Sequence, residues 1–328
     1  MSRRILIIGA NGQIGTELAT ALAQRCGAHR VITSDVHAAP PHARQDLQHE
    51  LLDATDAGAL RAVVERHAIT EVYLLAAALS GRAEQQPAWA WNLNMQSLLH
   101  VLELAREKGL RVFWPSSIAA FGPGSPKVRT PQTCVMDPCS VYGISKLAGE
   151  GWCAWYRAKH GVDVRSLRYP GLISWKTAPG GGTTDYAVEI FHAALRDGMY
   201  TSFLSADTAL PMMYMDDAVR ATLELMDAPA SCLSVASAYN VAGLSFTPAA
   251  LAQAIAQHVP GFAIRYDCDF RQAIADSWPR SIDDEQARAD WGWQARWDLN
   301  AICADMLAQL RAQAQGRQAR SEEALLTA

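Results

Sequence analysis

No apolar run in this 328-residue chain is long enough to cross a membrane, and the first of them, Ile5-Leu6-Ile7-Ile8, breaks at Gly9, too soon for the core of a secretory signal. No block of like charges is present either. The 29 Lys and Arg against 33 Asp and Glu leave a net charge of -4, which excludes a basic arm for nucleic acid. The seven cysteines (Cys26, Cys134, Cys139, Cys153, Cys232, Cys268 and Cys303) are odd in number and form no C-x-x-C, so no disulfide framework is expected. The nine histidines contain no H-x-x-x-H pair, so no metal site is expected. These absences describe a soluble, cytoplasmic protein with no membrane, nucleic-acid or metal partner.

Half of the residues are apolar, enough for a sizeable core. Their pattern alternates between strands and helices. Strands are expected at 4–8, 30–34, 71–76, 111–114, 164–169, 238–242 and 263–266. Helices are expected at 16–25, 57–67, 92–108, 142–160, 186–196, 215–226 and 248–259. The stretches 40–48 and 177–185 read as loops, and from Gly316 the chain reads as a frayed tail. Repeated β-α-β units imply an α/β fold, a Rossmann-type doubly wound parallel sheet covered by helices on both faces.

The first motif is Gly9-Ala10-Asn11-Gly12-Gln13-Ile14-Gly15, placed between a strand and a helix. Gly9 permits the turn off the strand, Gly12 admits a pyrophosphate to the backbone, and Gly15 lets the helix pack close to the sheet. Asn11, Gln13 and Ile14 sit in the same loop. The helix N-terminus adds free donors and a positive dipole. Asp35, at the end of the second strand, suits the ribose hydroxyls of NAD and would repel the extra phosphate of NADP. Asp53 is a second candidate, for the adenine amino group, with a helix N-cap as its competing role.

The second motif is Tyr142-Gly143-Ile144-Ser145-Lys146. Its Tyr and Lys are four apart and share a helix face, where an ammonium is expected to favour the phenolate and make Tyr142 a general base. Ser117, in Trp114-Pro115-Ser116-Ser117-Ile118, lies at a strand end, where a doubly wound sheet collects its ligands.

Glycine loop, acid, strand-end Ser and Tyr/Lys in this order resemble the extended short-chain dehydrogenase/reductase superfamily over residues 4 to 310. The resemblance implies a catalytic set of Ser117, Tyr142 and Lys146, with Asn94 supporting a proton relay. It also implies cofactor contacts from Leu75, Ala76, Ala77, Asn94, Tyr142, Lys146, Tyr169 and Ile173. The segments Arg168-Tyr169-Pro170-Gly171-Leu172-Ile173, Pro179-Gly180-Gly181-Gly182-Thr183-Thr184-Asp185-Tyr186-Ala187 and Leu210-Pro211-Met212-Met213-Tyr214-Met215-Asp216-Asp217-Ala218 are similar to the short-chain L-threonine dehydrogenases. That similarity implies oxidation of L-threonine at its β-carbon by NAD, without metal.

The implied threonine pocket comprises Ser80, Ser117, Tyr142, Gly182, Thr183, Thr184 and Trp278. The glycine-rich loop is expected to hold a carboxylate with its backbone N–H groups and to close over the substrate. The expected organisation is an NAD-binding unit at 1–170, rejoined by about 210–245, a smaller substrate-binding lobe mainly at 171–315, and a flexible tail at 316–328. A homodimer through the helices 92–108 and 142–160 is expected by analogy, since Leu98, Leu99, Leu102, Trp152 and Trp155 spread apolar surface over more than one face. The competing functions are a sugar-nucleotide epimerase or dehydratase of the same superfamily and a non-catalytic NAD sensor.

Overall fold

A computed structural model describes residues 3–40, 43–177 and 180–326. The chain opens with strand β1 (Ile5–Ile8), helix α1 (Gln13–Cys26), β2 (Val31–Asp35), β3 (Gln48–Leu51), α2 (Ala57–Arg66), β4 (Glu71–Leu74), α3 (Ser80–Gln85), α4 (Pro87–Lys108) and β5 (Arg111–Phe113). It continues through β6 (Ser116–Ser117), α5 (Val141–His160), β7 (Val164–Arg165), β8 (Leu167–Tyr169), β9 (Gly171–Ile173), α6 (Tyr186–Asp197), β10 (Met199–Ser202) and β11 (Leu210–Tyr214). It ends with α7 (Met215–Asp227), β12 (Tyr239–Asn240), β13 (Leu244–Phe246), α8 (Pro248–Ala256), β14 (Ala263–Tyr266), α9 (Arg271–Ser277), α10 (Glu285–Trp291) and α11 (Leu299–Leu326).

The central sheet is parallel, in the order β3-β2-β1-β4-β5-β7. The chain leaves β1 for β2 and then crosses back to β4, so the topological switch lies between the C-terminal ends of β1 and β4. A doubly wound sheet opens its ligand crevice there. The ladder does not stop at β5 and β7. Trp114 N–H donates to Arg165 O at 3.0 Å, β6 then pairs with β8, and β8 pairs with β12. Smaller sheets, β9-β11-β13 and β10-β14, stand apart from it.

Both faces of β1 are covered, which is why its sequence is an unbroken apolar run. Ile5 and Ile7 join Leu18 and Leu22 of α1 and Ala218 and Leu225 of α7. Leu6 and Ile8 point the other way, into Leu60 and Val63 of α2, Leu98 and Leu102 of α4 and Cys153 of α5. A third core gathers Tyr186 and Phe191 of α6, Leu251 and Ile255 of α8, and Met306 and Leu307 of α11. Helix α5 starts where the Ser140 hydroxyl accepts the Gly143 N–H at 3.0 Å and stops at Gly161, which is left-handed (φ +67°). No helix among the described residues is long and apolar enough to cross a membrane.

Several boundaries differ from the sequence expectation, each for a physical reason. The expected loop 40–48 runs up to an edge strand that was not expected, β3, which overlaps it only at Gln48 and whose Gln-His-Glu-Leu sequence buries neither face and so carries no apolar periodicity. The single strand expected at 164–169 is two, divided at Ser166, whose carbonyl accepts the Tyr239 N–H at 2.9 Å. Helix α4 begins at Pro87 rather than 92, with proline in its first turn. The tail expected from Gly316 is drawn into α11, which runs through Leu326; its Ala, Gln, Arg and Leu residues are good helix formers.

Beneath the strand ends lies an almost fully buried ion pair. Arg168 Nη2 donates to Glu150 Oε2 at 2.7 Å and Arg168 Nε to Oε1 at 2.9 Å, while the Ser116 hydroxyl donates to Oε1 at 2.6 Å. Removing one partner strands the other charge. Arg168→Met is therefore expected to lower the unfolding free energy by about 3–5 kcal/mol, and adding Glu150→Leu to recover most of that loss. Urea unfolding of the three proteins checks this; additive losses in the double variant would contradict it.

Candidate active site

The three glycines of the first loop have three different reasons. Gly9 is left-handed (φ +84°), and Ala76 N lies 2.6 Å from where its Cβ would stand. Gly15 is as enclosed, with Gly9 O at 2.5 Å from an added Cβ. Gly12 has only Gly9 O near it, at an ordinary 3.4 Å, so nothing within the protein demands a glycine there. It lines a cleft at the start of α1, where no side chain caps the helix and no acid occupies the first turn. The first-turn N–H groups are thus left for an anion from outside, and the bare Cα lets it approach. These residues fit a dinucleotide pyrophosphate.

Asp35 holds the loop from behind: its carboxylate accepts the N–H groups of Asn11 and His37, each at 3.2 Å. Asn11 in turn donates through Nδ2 to the carbonyls of His37 and Ala38, both at 3.1 Å. Asp53 is exposed, and its Oδ1 is taken by the N–H and hydroxyl of Thr55 at 2.8 and 2.7 Å, while Asp56 caps α2. Neither Asp35 nor Asp53 lines the cleft.

The cleft runs along the switch point. Gly9, Gly12, Gln13, Ile14, Gly15, Leu75 and Ala77 line it from the ends of β1 and β4. Ser117, Tyr142, Lys146 and Tyr169 line it from β6, α5 and β8, and Ser80, Gly182, Thr183, Thr184, Asp185 and Trp278 from beyond the central sheet. All the expected substrate residues thus converge. Asn11, Ala76, Asn94 and Ile173 stand outside the lining, Ile173 within the core of the third cluster. Asn94 is one layer behind: its Oδ1 accepts the Ala78 N–H at 2.8 Å and its Nδ2 donates to the Ser145 hydroxyl at 3.0 Å, which donates to Tyr142 O at 2.7 Å. It steadies the start of α5 rather than facing the cleft.

Tyr142 and Ser117 are brought together by a glycine. A Cβ on Gly143 would stand 2.1 Å from Ala119 O, so only glycine lets α5 seat against the turn that follows Ser117. A hydrogen bond from Ser117 favours the phenolate of Tyr142, yet burial is the larger effect and pushes the phenol up to about 12. Lys146 is pushed down to about 7, again chiefly by burial. Its Nζ donates to Pro115 O at 2.6 Å and lies 4.5 Å from the Trp114 ring centroid, against 5.4 Å from that of Tyr142. The expectation that Lys146 lowers the phenol is therefore corrected for the free protein: burial, not Lys146, dominates the phenol, and it moves both groups toward neutrality.

The glycine-rich loop brings a second correction. Gly181 and Gly182 N–H both donate at 2.7 Å to Oδ2 of Asp185, so these donors are committed within the protein rather than held open for a substrate carboxylate. The loop is pressed onto α3, since a Cβ on Gly81 would meet Gly181 O at 2.5 Å. Pro179, part of the expected loop, lies outside the described residues. Sequence reasoning missed two residues here. Asp185 was quoted only as part of a motif, although a carboxylate directly after Gly-Gly-Gly-Thr-Thr is itself a signal. Lys127 carried none: its Nζ donates to the carbonyls of Ser277 (2.7 Å), Asp276 (3.1 Å) and Trp278 (3.3 Å), fixing the end of α9 that presents Trp278 to the cleft.

The model of the NAD dependent epimerase/dehydratase family matches residues 5–242. The mitochondrial L-threonine 3-dehydrogenase of Bos taurus is 46% identical over 306 residues, 93% of this chain and 82% of that one. The solved holo form of a GalE-like L-threonine dehydrogenase from Cupriavidus necator is 67% identical, with a TM-score of 0.92 over 94% of this chain and 99% of that one. A monomeric L-threonine 3-dehydrogenase from a metagenome, solved in its apo form, is 45% identical with a TM-score of 0.91, over 94% and 99%.

The buried lysine gives a test that needs no substrate. Between about 7 in the folded chain and 10.5 in the unfolded one, the folded state holds one proton fewer at Lys146. Stability therefore rises with pH across that window; the burial penalty is full below it and gone above it. Relative to Lys146→Met, the wild type is expected to gain up to about 1.4 kcal/mol per pH unit between about pH 7.5 and 9.5. Urea titrations at both pH values measure the gap; a gap independent of pH would contradict the burial.

Proposed function

The chain belongs to the NAD dependent epimerase/dehydratase family, and from that premise we propose that it oxidises the β-hydroxyl of L-threonine to the ketone of 2-amino-3-oxobutyrate with NAD+. The observation that carries this is convergence. One cleft holds an uncapped helix start behind three glycines, a Ser/Tyr/Lys set and the Gly182–Thr184 segment, in a chain that is 67% identical to a threonine dehydrogenase.

When bound, NAD+ supplies the acceptor for the hydride leaving the β-carbon. The chain does the rest. The glycine loop and the first turn of α1 hold the pyrophosphate, and Asp35 reads the ribose of NAD against NADP. Lys146 is placed for the nicotinamide ribose. Ser117 holds the substrate hydroxyl, and Tyr142 takes its proton. Because burial holds the phenol near 12 in the free protein, Tyr142 becomes a useful base only where positive charge enters the cleft. The hydroxyls of Ser80, Thr183 and Thr184 and the ring of Trp278 bound the pocket, and fixing the reacting atoms supplies much of the rate.

Residues 1–170, with about 210–245, act as the cofactor unit, consistent with α7 and Tyr239 packing against β1. Residues 171–315 act mainly as the substrate lobe, whose core is the separate cluster of α6, α8 and α11. All seven cysteines are free, which suits a reducing compartment, taken here as the cytoplasm. A homodimer forms through α4 and α5. Leu98 and Leu102 face the sheet, but Trp152 and Trp155 remain 39% and 43% exposed. Beside them a Cβ on Gly151 would meet nothing within 4 Å. A glycine that costs its helix about 1 kcal/mol without an internal reason suits close approach by another helix.

NADH formation from NAD+ and L-threonine, followed at 340 nm, is the direct test, with faster turnover expected than with NADP+ or D-threonine. Tyr142→Phe is expected to retain NAD+ binding and lose a factor of about 10²–10⁴ in turnover; near-normal turnover would remove Tyr142 from the mechanism. Light scattering at micromolar protein is expected to give twice the chain mass, and Trp155→Glu to give the mass of one chain. A wild-type monomer would end the dimer assignment.

A further inference from the structure

Glu17 of α1 is a buried carboxylate whose two oxygens are taken by the segment that leaves β9. The Ser174 hydroxyl donates to Oε1 at 2.5 Å and Lys176 Nζ to Oε2 at 2.8 Å, while the Lys176 N–H donates to Ser174 Oγ at 3.2 Å and closes the set on itself. The place of Glu17 on α1 gives this clamp its meaning. Gln13 and Ile14, one turn earlier on the same side of the helix, line the cleft where the first turn is left open for the pyrophosphate. At the other end, Gly171 and Leu172 of β9 line the cleft just ahead of Ser174. A Cβ on Gly171 would stand 2.6 Å from the Thr184 side chain, so Thr184 rests against this strand and its place follows that of β9. Charge-assisted hydrogen bonds to one carboxylate thus run from the dinucleotide helix to the wall of the pocket.

We propose that Glu17 is a positioning residue that couples the dinucleotide site to the substrate pocket, an inference that rests on the proposed function for the identity of the substrate. Glu17 does not line the cleft and has no part in moving the proton or the hydride. A pyrophosphate seated on the first turn of α1 fixes that end of the helix. The clamp passes the constraint to the exit of β9, and so to Thr184. Coupling of this kind is reciprocal: whatever bound dinucleotide adds to substrate affinity, bound substrate adds to dinucleotide affinity. The clamp can also be opened without wrecking the fold. Lys176 remains 37% exposed, so neutralising Glu17 strands no buried charge. Asp216, whose carboxyl is pushed up by burial and then by Glu17, is close enough to feel the Lys176 ammonium and to receive it.

The first measurement is trypsin cleavage after Lys176, read by mass spectrometry with and without saturating NAD+, which needs no turnover. In the wild type NAD+ is expected to slow this cleavage about fivefold or more, the usual span for coupling between two sites. Glu17→Gln keeps an oxygen for Ser174 and gives up the charge. Its cleavage is expected to be faster and the effect of NAD+ to fall below about twofold, although NAD+ still binds by tryptophan quenching. The second measurement is steady-state kinetics, in which KM for L-threonine is expected to rise about tenfold in Glu17→Gln with kcat within about threefold of the wild type. Ser174→Ala removes one arm, keeps the trypsin site and is expected to shift both readouts in the same direction; it decides the matter if Glu17→Gln does not fold. NAD+ protection that persists undiminished in the variants, or a wild type that binds NAD+ without slower cleavage, overturns the coupling. A KM for L-threonine that stays at the wild-type value overturns it as well, whatever happens to stability. A wild type that leaves L-threonine unoxidised removes the proposed function, and the cleavage comparison then still decides the tie between α1 and β9.

Discussion

Glu150 is the group on which the geometry of the cleft depends. It sits one helical turn beyond Lys146 on α5, and its two oxygens take up Ser116, beside Ser117, and Arg168, beside Tyr169. Arg168 reaches on to Gln132 O and Asn240 Oδ1, and Asn240 Nδ2 donates to Thr130 O and Asp283 O. One carboxylate thus joins the helix that carries Tyr142 to three neighbouring strands, β6, β8 and β12. A buried pair of this kind adds little net stability over an apolar filling. Its use is geometric: charge-assisted hydrogen bonds fix direction where packing alone allows sliding.

Burial also explains why the free site is chemically quiet. The phenol and the ammonium are driven in opposite directions along the pH scale, but toward the same end, loss of charge. A Tyr base with its pKa near 12 is almost wholly protonated at neutral pH. The chain therefore builds position first and leaves reactivity conditional. Ser117 favours the phenolate from across the cleft, Gly143 allows the close seating of α5 beside it, and Lys146 waits on a backbone carbonyl nearby. The charge that makes Tyr142 basic must come from what enters the cleft.

The parts legible in the sequence were those where one physical cause dominates. Ile5–Ile8 is apolar because both its faces are covered, and Gly9 and Gly15 are glycines because the backbone leaves no room for a Cβ. Ser117, Tyr142 and Lys146 could be named because strand ends and helix faces are periodic. What could not be read depends on partners distant in the chain. The polar edge strand β3 is a strand only because β2 offers a ladder, and the break at Ser166 exists because Tyr239 pairs there. The Tyr/Lys electrostatics were misjudged for the same reason. Spacing places two groups on one face, but it does not reveal that Pro115 O and the Trp114 ring receive the ammonium. The free donors expected in the glycine-rich loop failed because their acceptor, Asp185, is local and was counted only as part of a motif.

The connection from Phe121 to Ser140 links these points into one mechanical unit. It leaves the turn after Ser117 and returns at the cap of α5, so both of its ends carry chemistry. Between them it is stitched to the far side of the cleft. Lys127 caps the carbonyls around Trp278, Lys127 O accepts the Arg280 N–H at 2.7 Å, Thr130 bridges Ile282, and Gln132 holds the backbone of Asn240. Asp137 closes the base by accepting the Gly124 N–H at 3.0 Å. A displacement of Trp278 is therefore resisted by the same segment that sets the separation of Ser117 and Tyr142. In such a frame the wall that selects the substrate and the groups that react with it share their supports, so substrate fit and catalytic alignment are not independent variables. Tight shape selection by a flexible pocket would require separate supports, and this connection does not provide them.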